Sequence, residues 1–572
     1  MNLIFRYMKK QGKLIGVSMT LKTLGTLGEL MIPYILEHII DVVVPQGKES
    51  LVLLWGCCMV AAAVLVRTLN VRANRTAVFV GKDCIRSLRY DLFQKTINLS
   101  GAQFDRFGLP SLTSRMTSDS YNVQDFMVSV QAMGIRSPMM LLGGIVVTMV
   151  MDPALSGILC IMVPILGVTV FCITRYGIPL YTKVQTSVDR VVQVLRENIT
   201  GIRVVKALSK EDYERARFRQ ANEQLTHNDV RASITMATPG PIMQMALNIG
   251  LTLVVIVGAY RVNSGAIQPG VILAFLTYFN MILQGVMGLN RIFMTASKAI
   301  ASADRIDLIL QTGDDQPVLE AAGRRMDTDA HIVFDHVSFG YHKTGEQCLS
   351  DISFTLRPGE SLGIIGATGS GKTTIVNLLM RFYDCDQGGI YIRGKDVRTY
   401  DRDTLREMFG VVFQNDTIFN DTLGENISFG RGLEEEMVRQ AAQTANIADF
   451  IEGLEQGYQY RADIKGANLS GGQKQRMLVA RAVAAHPEIL VLDDSSSALD
   501  YKTDAALRKA IQTGYSSSTL IMIAQRVSSI MNLDHILVLE EGKMIGYGTH
   551  QELLQTCPAY LDIYQSQMGD IA

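Results

Sequence analysis

The 572-residue sequence has little of what disulfide-rich or nucleic-acid-binding proteins depend on. Its eight cysteines form no CxxC pair, and the only close pair, Cys57 and Cys58, is vicinal. That spacing favours reduced thiols over a disulfide framework or a structural zinc site. The 54 lysines and arginines balance 55 aspartates and glutamates, which excludes a global basic field for nucleic acid. The basic N-terminus has no small-residue cleavage site, so we expect a membrane start rather than a signal peptide.

Long uncharged runs in the first 295 residues predict a membrane domain. A spanning helix needs about 20 mostly apolar residues, and residues 154–174 form a run of 21 without a charge. Six spans are predicted, at about 14–44, 50–72, 128–151, 153–176, 236–260 and 266–294. The first is the least apolar, because Lys22, Glu29 and other charged residues interrupt it. We therefore predict a six-helix, all-α membrane domain over residues 11–310.

Lysine and arginine gather in two of the connections between these spans. Residues 67–115 contain nine of them and residues 175–231 contain eleven, whereas the other connections are short and nearly free of basic residues. Because basic loops stay in the cytoplasm, both termini and both long connections are predicted to be cytoplasmic. The connections have about 60 residues each, and their helical patterning predicts membrane helices that continue well below the bilayer.

A few polar residues lie inside the predicted spans. Lys22 and Glu29 are seven residues apart, on one helix face. The simpler interpretation places Lys22 at the inner interface and pairs Glu29 with a neighbouring helix, and the other has both facing a cavity. Asn280 and Gln284 in the sixth span fit either a cavity wall or hydrogen bonds between helices.

The second half of the chain has a different pattern. Residues 311–330 are polar and predict a flexible linker. In residues 331–572, short apolar runs alternate with helical segments, which is typical of an α/β domain. The runs that predict strands are 332–334, 361–365, 489–492, 519–523 and 536–539.

A glycine-rich segment follows the second of these runs and opens a helical segment. It fits the motif G-x-x-x-x-G-K-[ST] and comprises Gly366, Ala367, Thr368, Gly369, Ser370, Gly371, Lys372 and Thr373, with Thr374 next in the chain. Such a loop closes backbone N–H groups around phosphates at a helix N-terminus. Lys372 is predicted to reach the β- and γ-phosphates, and Thr373 to bind Mg²⁺.

Two carboxylates, Asp493 and Asp494, stand at the end of the run at 489–492. Asp493 is predicted to hold the Mg²⁺ shell, while Asp494 is placed to polarise the attacking water. An apolar run that ends in aspartate is a weak signal alone, but it is strong beside the phosphate-binding loop. Between the two motifs stands the sequence LSGGQ at residues 469–473.

These motifs, in this order, resemble those of ATP-binding-cassette half-transporters with the exporter-type membrane fold, over nearly the whole chain. The resemblance implies that residues 1–10 form an amphipathic elbow helix and that two chains form a domain-swapped dimer. It implies that segments 104–119 and 201–206 bracket coupling helices. It also assigns site residues: Tyr341 stacks on adenine, Gln414 is the Q-loop glutamine and a Mg²⁺ contact, residues 497–500 form the D-loop, and the partner's γ-phosphate is capped by Ser470, Gly471, Gly472 and Gln473.

Three residues depart from the family pattern. Asp494 stands where active members usually have glutamate, and aspartate is one methylene shorter, so a water held for in-line attack is poorly contacted. Gln525 stands where the family has its switch histidine, and a neutral amide has no imidazole protonation chemistry. Ile464 stands where a glutamate precedes LSGGQ. We list Asp494, Gln525, Gln414 and Lys372 as the candidate catalytic residues.

The two losses at one centre resemble the degenerate subunit of a heterodimeric exporter. We therefore predict an ATP- and Mg²⁺-dependent translocase in a bacterial plasma membrane, paired with a second, non-identical half-transporter, with no nucleic-acid partner. Its own site hydrolyses slowly, while its intact signature completes the partner's site. A hydrophobic, amphipathic, lipid or peptide substrate is expected. The alternatives are an active homodimer, an exporter-fold importer and a nucleotide-gated regulatory membrane protein.

Overall fold

The computed structural model describes residues 1–320, 329–341, 347–414, 416–494 and 499–568. The chain forms two compact units. The helical unit comprises Met1–Asn98 and Leu109–Thr312, and the sheet unit comprises Leu99–Gly108 and Gly313–Ala572. The short segment Leu99–Gly108 thus belongs to the sheet unit, although the helical unit precedes and follows it in sequence.

Residues 1–310 are almost entirely helical. The α-helices are α1 (Asn2–Lys10), α2 (Gly12–His38), α3 (Glu49–Ile97), α4 (Gly101–Phe107), α5 (Leu109–Ser114), α6 (Ser120–Met133), α7 (Arg136–Met151), α8 (Pro153–Thr200), α9 (Ile202–Ala207), α10 (Glu211–Ala237), α11 (Pro239–Asn263) and α12 (Pro269–Leu310). The longest, α3, α8 and α12, have 49, 48 and 42 residues. At 1.5 Å per residue each is about twice as long as a bilayer core is thick, which agrees with the expectation that the membrane helices continue beyond the bilayer.

Four helical stretches of the described chain are long and apolar enough to cross a membrane. They are Glu49–Ile97, Leu109–Met151, Glu211–Asn263 and Pro269–Leu310. The first predicted span falls in α2, where Lys22 and Glu29 lower the hydropathy, and the fourth falls in α8, which contains the shorter apolar stretch Pro153–Thr169 among the described side chains. The predicted third span is not one helix, since a turn at residues 134–135 separates α6 from α7.

Two charged side chains of the first predicted span, Lys22 and Glu29, have polar partners on neighbouring helices. Arg136 at the start of α7 donates from Nη2 to Glu29 Oε1 at 2.9 Å and from Nε to Glu29 Oε2 at 3.3 Å. Gln284 of α12 accepts a further hydrogen bond from Arg136 at 3.4 Å. Lys22 is buried and donates to Asn74 at 3.0 Å. The interpretation that Glu29 pairs with a neighbouring helix is therefore confirmed.

The sheet unit contains one ten-stranded sheet in the order β5-β4-β1-β2-β10-β9-β3-β8-β7-β6. The strands are β1 (Ile332–Gly340), β2 (Gln347–Leu356), β3 (Ser361–Gly366), β4 (Gln387–Ile392), β5 (Lys395–Asp396), β6 (Phe409–Val412), β7 (Ile489–Asp493), β8 (Thr519–Ile523), β9 (His535–Glu540) and β10 (Lys543–Gly548). All five apolar runs that predicted strands lie in strands of this sheet.

The remaining helices belong to the sheet unit. They are α13 (Lys372–Leu379), α14 (Arg402–Glu407), α15 (Leu423–Ser428), α16 (Glu435–Thr444), α17 (Ala448–Glu452), α18 (Gly471–Val483), α19 (Tyr501–Gly514), α20 (Val527–Ile530), α21 (His550–Thr556) and α22 (Pro558–Met568). Buried strand residues pack into two hydrophobic clusters, and residues of α13 join one of them while residues of α18 and α19 join the other.

The register of three parallel strands brings the sequence motifs to one edge of the sheet. Ile523 at the end of β8 pairs with Ile364 of β3 on one side and with Asp493 of β7 on the other. Parallel strands end at the same edge, so the residues that follow these three strands converge there. All residues of β7 and β8 are buried, which fixes this register because a slip by one residue would turn each side chain to the opposite face.

The first part of the expected linker has hydrogen-bond partners in the structure. Residues 313–319 pack against the sheet unit: Leu319 N donates to Arg398 O at 2.9 Å, and the buried Arg381 donates to Pro317 O at 2.9 Å. Gln316 is buried as well. These long-range contacts fix a segment whose polar composition is also typical of mobile chain. Residues 321–328 of the expected linker lie outside the described residues.

The Glu29–Arg136 pair gives a stability prediction. Arg136→Met leaves the half-buried Glu29 carboxylate without its cation, so we expect destabilisation by about 1–3 kcal/mol. The double variant Glu29→Gln/Arg136→Met removes both charges and should recover most of that loss. Thermal unfolding of the purified protein in detergent measures both effects. Arg291→Met on α12, where the side chain is exposed, is the control, and an equal loss in this control would contradict the prediction.

Candidate functional site

The glycine-rich loop joins β3 to α13, and both Gly369 and Gly371 have backbone conformations that favour glycine. Gly371 has φ +98°, and a Cβ atom there would lie 2.6 Å from Leu349 Cδ2. Lys372, the first residue of α13, turns its Nζ back onto the loop and donates to Gly366 O at 2.9 Å and Ala367 O at 2.7 Å. The loop therefore surrounds a cation at a helix N-terminus, which is an anion-binding arrangement.

The two adjacent carboxylates after β7 have different surroundings. Asp493 is 1% exposed and accepts a hydrogen bond from Thr373 Oγ1 at 3.0 Å. Asp494 has φ 49°, in the left-handed region, and its N–H donates to Ile523 O at 3.0 Å. The Asp494 carboxylate accepts from Gln525 Nε2 at 2.9 Å. Gln525 lies two residues after the end of β8, so the register of β7 and β8 brings the backbone of these two groups to the same edge of the sheet.

Burial decides the electrostatics of this cluster. It raises the pKa of Asp493, and the neighbouring Asp494 charge raises it further, while the Thr373 hydrogen bond and the Lys372 charge oppose the rise. Burial raises the pKa of Asp494 too, against Lys372, Arg526 and the Gln525 hydrogen bond. Burial lowers the pKa of Lys372, and the charges of the two carboxylates oppose this decrease. Two neighbouring carboxylates, one of them buried, repel each other, and a cation bound beside them would relieve this repulsion.

A cleft of about 300 Å³ contains most of the predicted site residues. It is lined by Tyr341, Cys348, Thr368, Gly369, Gly371, Lys372, Thr373, Thr374, Gln414, Asp493, Asp494, Ile523 and Gln525. The hydroxyl of Thr373, the carboxylate of Asp493 and the amide oxygen of Gln414 are hard oxygen ligands, which is the donor type that Mg²⁺ prefers. The residues present therefore fit a magnesium ion.

The predicted adenine-stacking residue lies at one end of the same cleft. The Tyr341 hydroxyl is 3.4 Å from Thr374 Oγ1 and accepts from Asn377 Nδ2 at 3.3 Å. Its ring packs edge-on against Phe339 and Tyr383, with centroids 4.9 and 5.1 Å apart. Both neighbouring rings lie nearly perpendicular to the Tyr341 ring, and such edge-to-face packing holds the ring in place.

The LSGGQ segment is built as a helix start and does not line this cleft. Ser470 caps α18: its Oγ accepts from Gln473 N at 3.3 Å, and its N–H donates to Gln473 Oε1 at 2.8 Å. This reciprocal capping box uses two of the five motif residues to fix the geometry of the helix start. Gly471 and Gly472 then form the first turn of α18, with no side chain to hinder a ligand from approaching.

The sequence matches two protein families, and it is similar to several known proteins. Residues 15–287 match the family described as ABC transporter transmembrane region, and residues 349–497 match the one described as ABC transporter. An uncharacterized ABC transporter ATP-binding protein of Bacillus subtilis, YfiB, is 35% identical over 566 residues, which cover 98% of both chains. The chain belongs to the ABC transporter family. It is a half-transporter of the exporter type, with ATP hydrolysis in its nucleotide-binding domain coupled to transport.

This ABC transporter is also similar to a relative with a named function and to a solved structure. The ATP-dependent lipid A-core flippase of Syntrophus aciditrophicus is 32% identical over 496 residues, which cover 86% of this chain and 82% of the flippase. A solved bacterial Atm1-family ABC exporter with ATP bound matches with a TM-score of 0.82 at 26% identity, over 98% of this chain and 99% of that chain. The expected exporter-type fold is thereby confirmed.

Some functional contacts of this ABC transporter were not predicted from its sequence. The helix α4 binds the nucleotide-binding domain beside the cleft: Gly101 N donates to Phe382 O at 3.2 Å, and Tyr383 donates to Asp105 at 2.6 Å. Tyr383 in turn packs against Tyr341. The motif around Asp105 indicated a coupling segment, but its partner is 278 residues away in sequence, and no local signal gives that distance.

The predicted D-loop is described only in part. Ser497 and Ala498 lie outside the described residues. Asp500 is the N-cap of α19, where its carboxylate accepts from Thr503 N at 3.1 Å. Cys348 and Ile523 line the cleft without having been predicted; neither residue belongs to a motif, and only the strand register places them there.

The loop geometry predicts unequal effects for two glycines. Gly371→Ala adds a Cβ only 2.6 Å from Leu349, whereas Gly369→Ala, at φ +86°, meets no atom within 4 Å. Both changes cost backbone strain of about 1–2 kcal/mol, and only the first also displaces the loop. We expect Gly371→Ala to weaken ATP binding at least about tenfold more than Gly369→Ala, measured by equilibrium titration with a fluorescent ATP analogue. Equal losses would mean that the Leu349 contact is irrelevant.

Proposed function

We propose that this ABC exporter works as one half of a heterodimer and that its own ATP site hydrolyses slowly. The observation that carries the proposal is the hydrogen bond of 2.9 Å between Gln525 Nε2 and the Asp494 carboxylate. These are two of the three residues that depart from the family pattern, and they contact each other in the cleft. The proposed slow site thus has its two unusual side chains as direct partners.

The chemistry of this pair does not favour hydrolysis. A general base must lie within hydrogen-bond reach of the water that it activates. The Asp494 carboxylate is one methylene short of the usual glutamate, and a misplacement of about 1 Å can cost about 100-fold in rate. The Gln525 amide also donates to this carboxylate and occupies one of its acceptor positions. A side-chain amide does not titrate near neutral pH, so it cannot serve as an acid or a base there as an imidazole can.

ATP binding does not depend on either departure. The residues proposed to bind the nucleotide and Mg²⁺, namely Tyr341, Lys372, Thr373, Gln414 and Asp493, line one cleft. We infer a site that retains ATP and turns it over rarely. Such a nucleotide acts as a ligand that favours the closed dimer by its difference in affinity between the two states.

The signature segment supports a second, faster site. Ser470 and Gln473 form the complete capping box at the start of α18, and we propose that this helix start caps the γ-phosphate held by a partner chain. A partner with its own glutamate and histidine would then perform most of the hydrolysis. An intact signature beside a weakened catalytic pair is the combination that two unequal sites require.

A third residue that departs from the family pattern lies on the surface, near the LSGGQ segment in sequence. Ile464 is 71% exposed, where the family pattern has a glutamate. The loop around it is ordered, since Asp463 N donates to Asn468 at 2.9 Å and Ala462 N donates to Asp421 O at 2.9 Å. An exposed apolar side chain on a fixed loop offers a packing contact where a charged one would offer an ion pair.

The proposed substrate is an amphipathic molecule, a lipid or a peptide, exported across a bacterial plasma membrane with both termini in the cytoplasm. On α12, Thr277, Asn280 and Gln284 are exposed and lie at spacings of three and four residues, so they form one polar stripe. A polar stripe on an apolar membrane helix faces a cavity or another helix rather than lipid. The similarity to a lipid A-core flippase supports a substrate with both polar and apolar parts.

Three alternatives make different predictions. An active homodimer would hydrolyse ATP rapidly without a second gene product. A nucleotide-gated regulator would bind ATP without substrate-stimulated turnover, and the capped signature helix argues against it, because that motif serves a partner's site. An importer would use the same ATP sites and differ only in the direction of transport.

The first test compares ATPase rates. The purified chain alone should hydrolyse ATP slowly, and the double variant Asp494→Glu/Gln525→His should raise its rate at least about tenfold by restoring the base and the imidazole. With the half-transporter encoded beside it, the pair should be active and should lose that activity when the partner's catalytic glutamate is replaced. Vigorous hydrolysis by the unaltered chain alone, unchanged by Asp494→Glu, would establish the homodimer instead.

The second test concerns the substrate path. Asn280→Leu should change the stimulation of ATPase by amphipathic compounds and lipids at least about fivefold in reconstituted vesicles, with the basal rate within twofold. Thr68→Val on α3 is the control, because its exposed hydroxyl, like the Asn280 amide, donates to a carbonyl of its own helix. Equal stimulation in the wild type, Asn280→Leu and the control would contradict a role of the stripe in substrate contact.

A further inference from the structure

The C-terminal helix α22 makes a two-point contact with the loop that carries Gln525. The side-chain amide of Gln567 donates from Nε2 to the main-chain carbonyl of Gln525 at 2.8 Å. Its Oε1 accepts from the main-chain N–H of Val527, also at 2.8 Å. One planar amide thus bridges the residues on both sides of Arg526.

Both hydrogen bonds fix the orientation of the Gln567 amide. A carbonyl only accepts and an N–H only donates, so exchanging the nitrogen and oxygen of the amide would lose both contacts. Hydrogen bonds to main-chain atoms also hold the backbone of the loop itself rather than a single side chain. The bridged segment is the one between β8 and α20.

The helix that supplies Gln567 is anchored in the core of the nucleotide-binding domain. Tyr560 of α22 is fully buried, and its hydroxyl is 2.7 Å from His550 Nδ1. Tyr560 belongs to the same hydrophobic cluster as Val527 and Ile530 of α20. The helix α22, which supplies Gln567, is therefore packed into the same hydrophobic cluster as α20, the helix that follows the loop.

A second side chain holds the other end of the loop. Arg508 of α19 donates to Ser528 O at 2.8 Å and is paired with Asp504 of its own helix at 2.9 Å. Arg508 contacts Ser528, in the first turn of α20. Gln567 contacts the main chain of Gln525, whose side chain reaches Asp494. Of the two, Gln567 is the one placed to set the position of the Gln525 amide.

We propose that Gln567 is a positioning residue of the ATP site, which holds the 525–527 loop so that Gln525 faces Asp494. The Gln525 side chain donates to the Asp494 carboxylate at 2.9 Å. This hydrogen bond depends on a backbone that Gln567 bridges. Through Gln567, α22 thus helps to position a residue of the ATP site. This role does not depend on whether the transporter is a heterodimer or a homodimer.

The experiment is hydrogen–deuterium exchange of the full-length protein in detergent, followed on a peptide that covers β8 and α20. Gln567→Ala removes the acceptor of the Val527 N–H, so exchange in this peptide should become about fivefold to tenfold faster. Gln567→Glu keeps an acceptor for that N–H but loses the donor to Gln525 O, and an intermediate rate is expected. The matched control is Gln565→Ala, an exposed glutamine on the same helix, which should leave the peptide unchanged.

A functional cycle separates positioning from general stability. Whatever the effect of Gln525→Ala on the single-turnover hydrolysis rate, Gln567→Ala should reproduce at least half of it, with the apparent ATP affinity within twofold. The double variant should equal Gln525→Ala alone, because Gln567 acts through Gln525. Unchanged exchange in Gln567→Ala, or faster exchange throughout the nucleotide-binding domain, or additive rate effects would each overturn the proposal.

Discussion

The ATP site of this transporter depends on the register of three buried parallel strands. Ile523 of β8 pairs with Ile364 of β3 and Asp493 of β7, so three separate chain segments end at one edge. The phosphate-binding loop, the two carboxylates and the Gln525 loop each follow directly from one of these strands. A slip of one residue in any pair would move its loop by about 3.3 Å along the strand and reverse the side chains. Burial of the strands on both faces prevents such a slip.

The local motifs were sufficient to predict most of the cleft, because each motif residue lies within a few residues of a strand end. The phosphate-binding loop, Asp493, Asp494 and Gln525 line one cavity, and their positions follow from strand–loop–helix spacing. Contacts between distant segments could not be predicted in this way. The Tyr383–Asp105 hydrogen bond joins residues 278 apart, and the order of residues 313–319 depends on Arg381 and Arg398 in the sheet unit.

Composition was a weaker guide in the membrane half, for a related reason. Charge in the first predicted span lowered its hydropathy, yet Glu29 lies in a hydrogen-bonded pair with Arg136 and Lys22 donates to Asn74. A hydropathy profile counts each charge as if it were alone, whereas a neighbouring helix that supplies the opposite charge removes much of the cost. Partners of this kind become visible only when the helices are packed.

The contact between Gln525 and Asp494 also bears on how the proposed slow site could be retained in a transporter. The cleft has its phosphate-binding loop, the proposed magnesium ligands and an aromatic residue, and the two departures that line it are the groups proposed to activate water. Binding and hydrolysis thus use separable residues within one cavity, so selection can weaken one without the other. A half-transporter that binds ATP stably contributes closing energy to the dimer in every cycle. In the proposed heterodimer, the capped LSGGQ helix would serve a second site, so a weak catalytic pair here would cost the transporter little as long as the partner's site turns over.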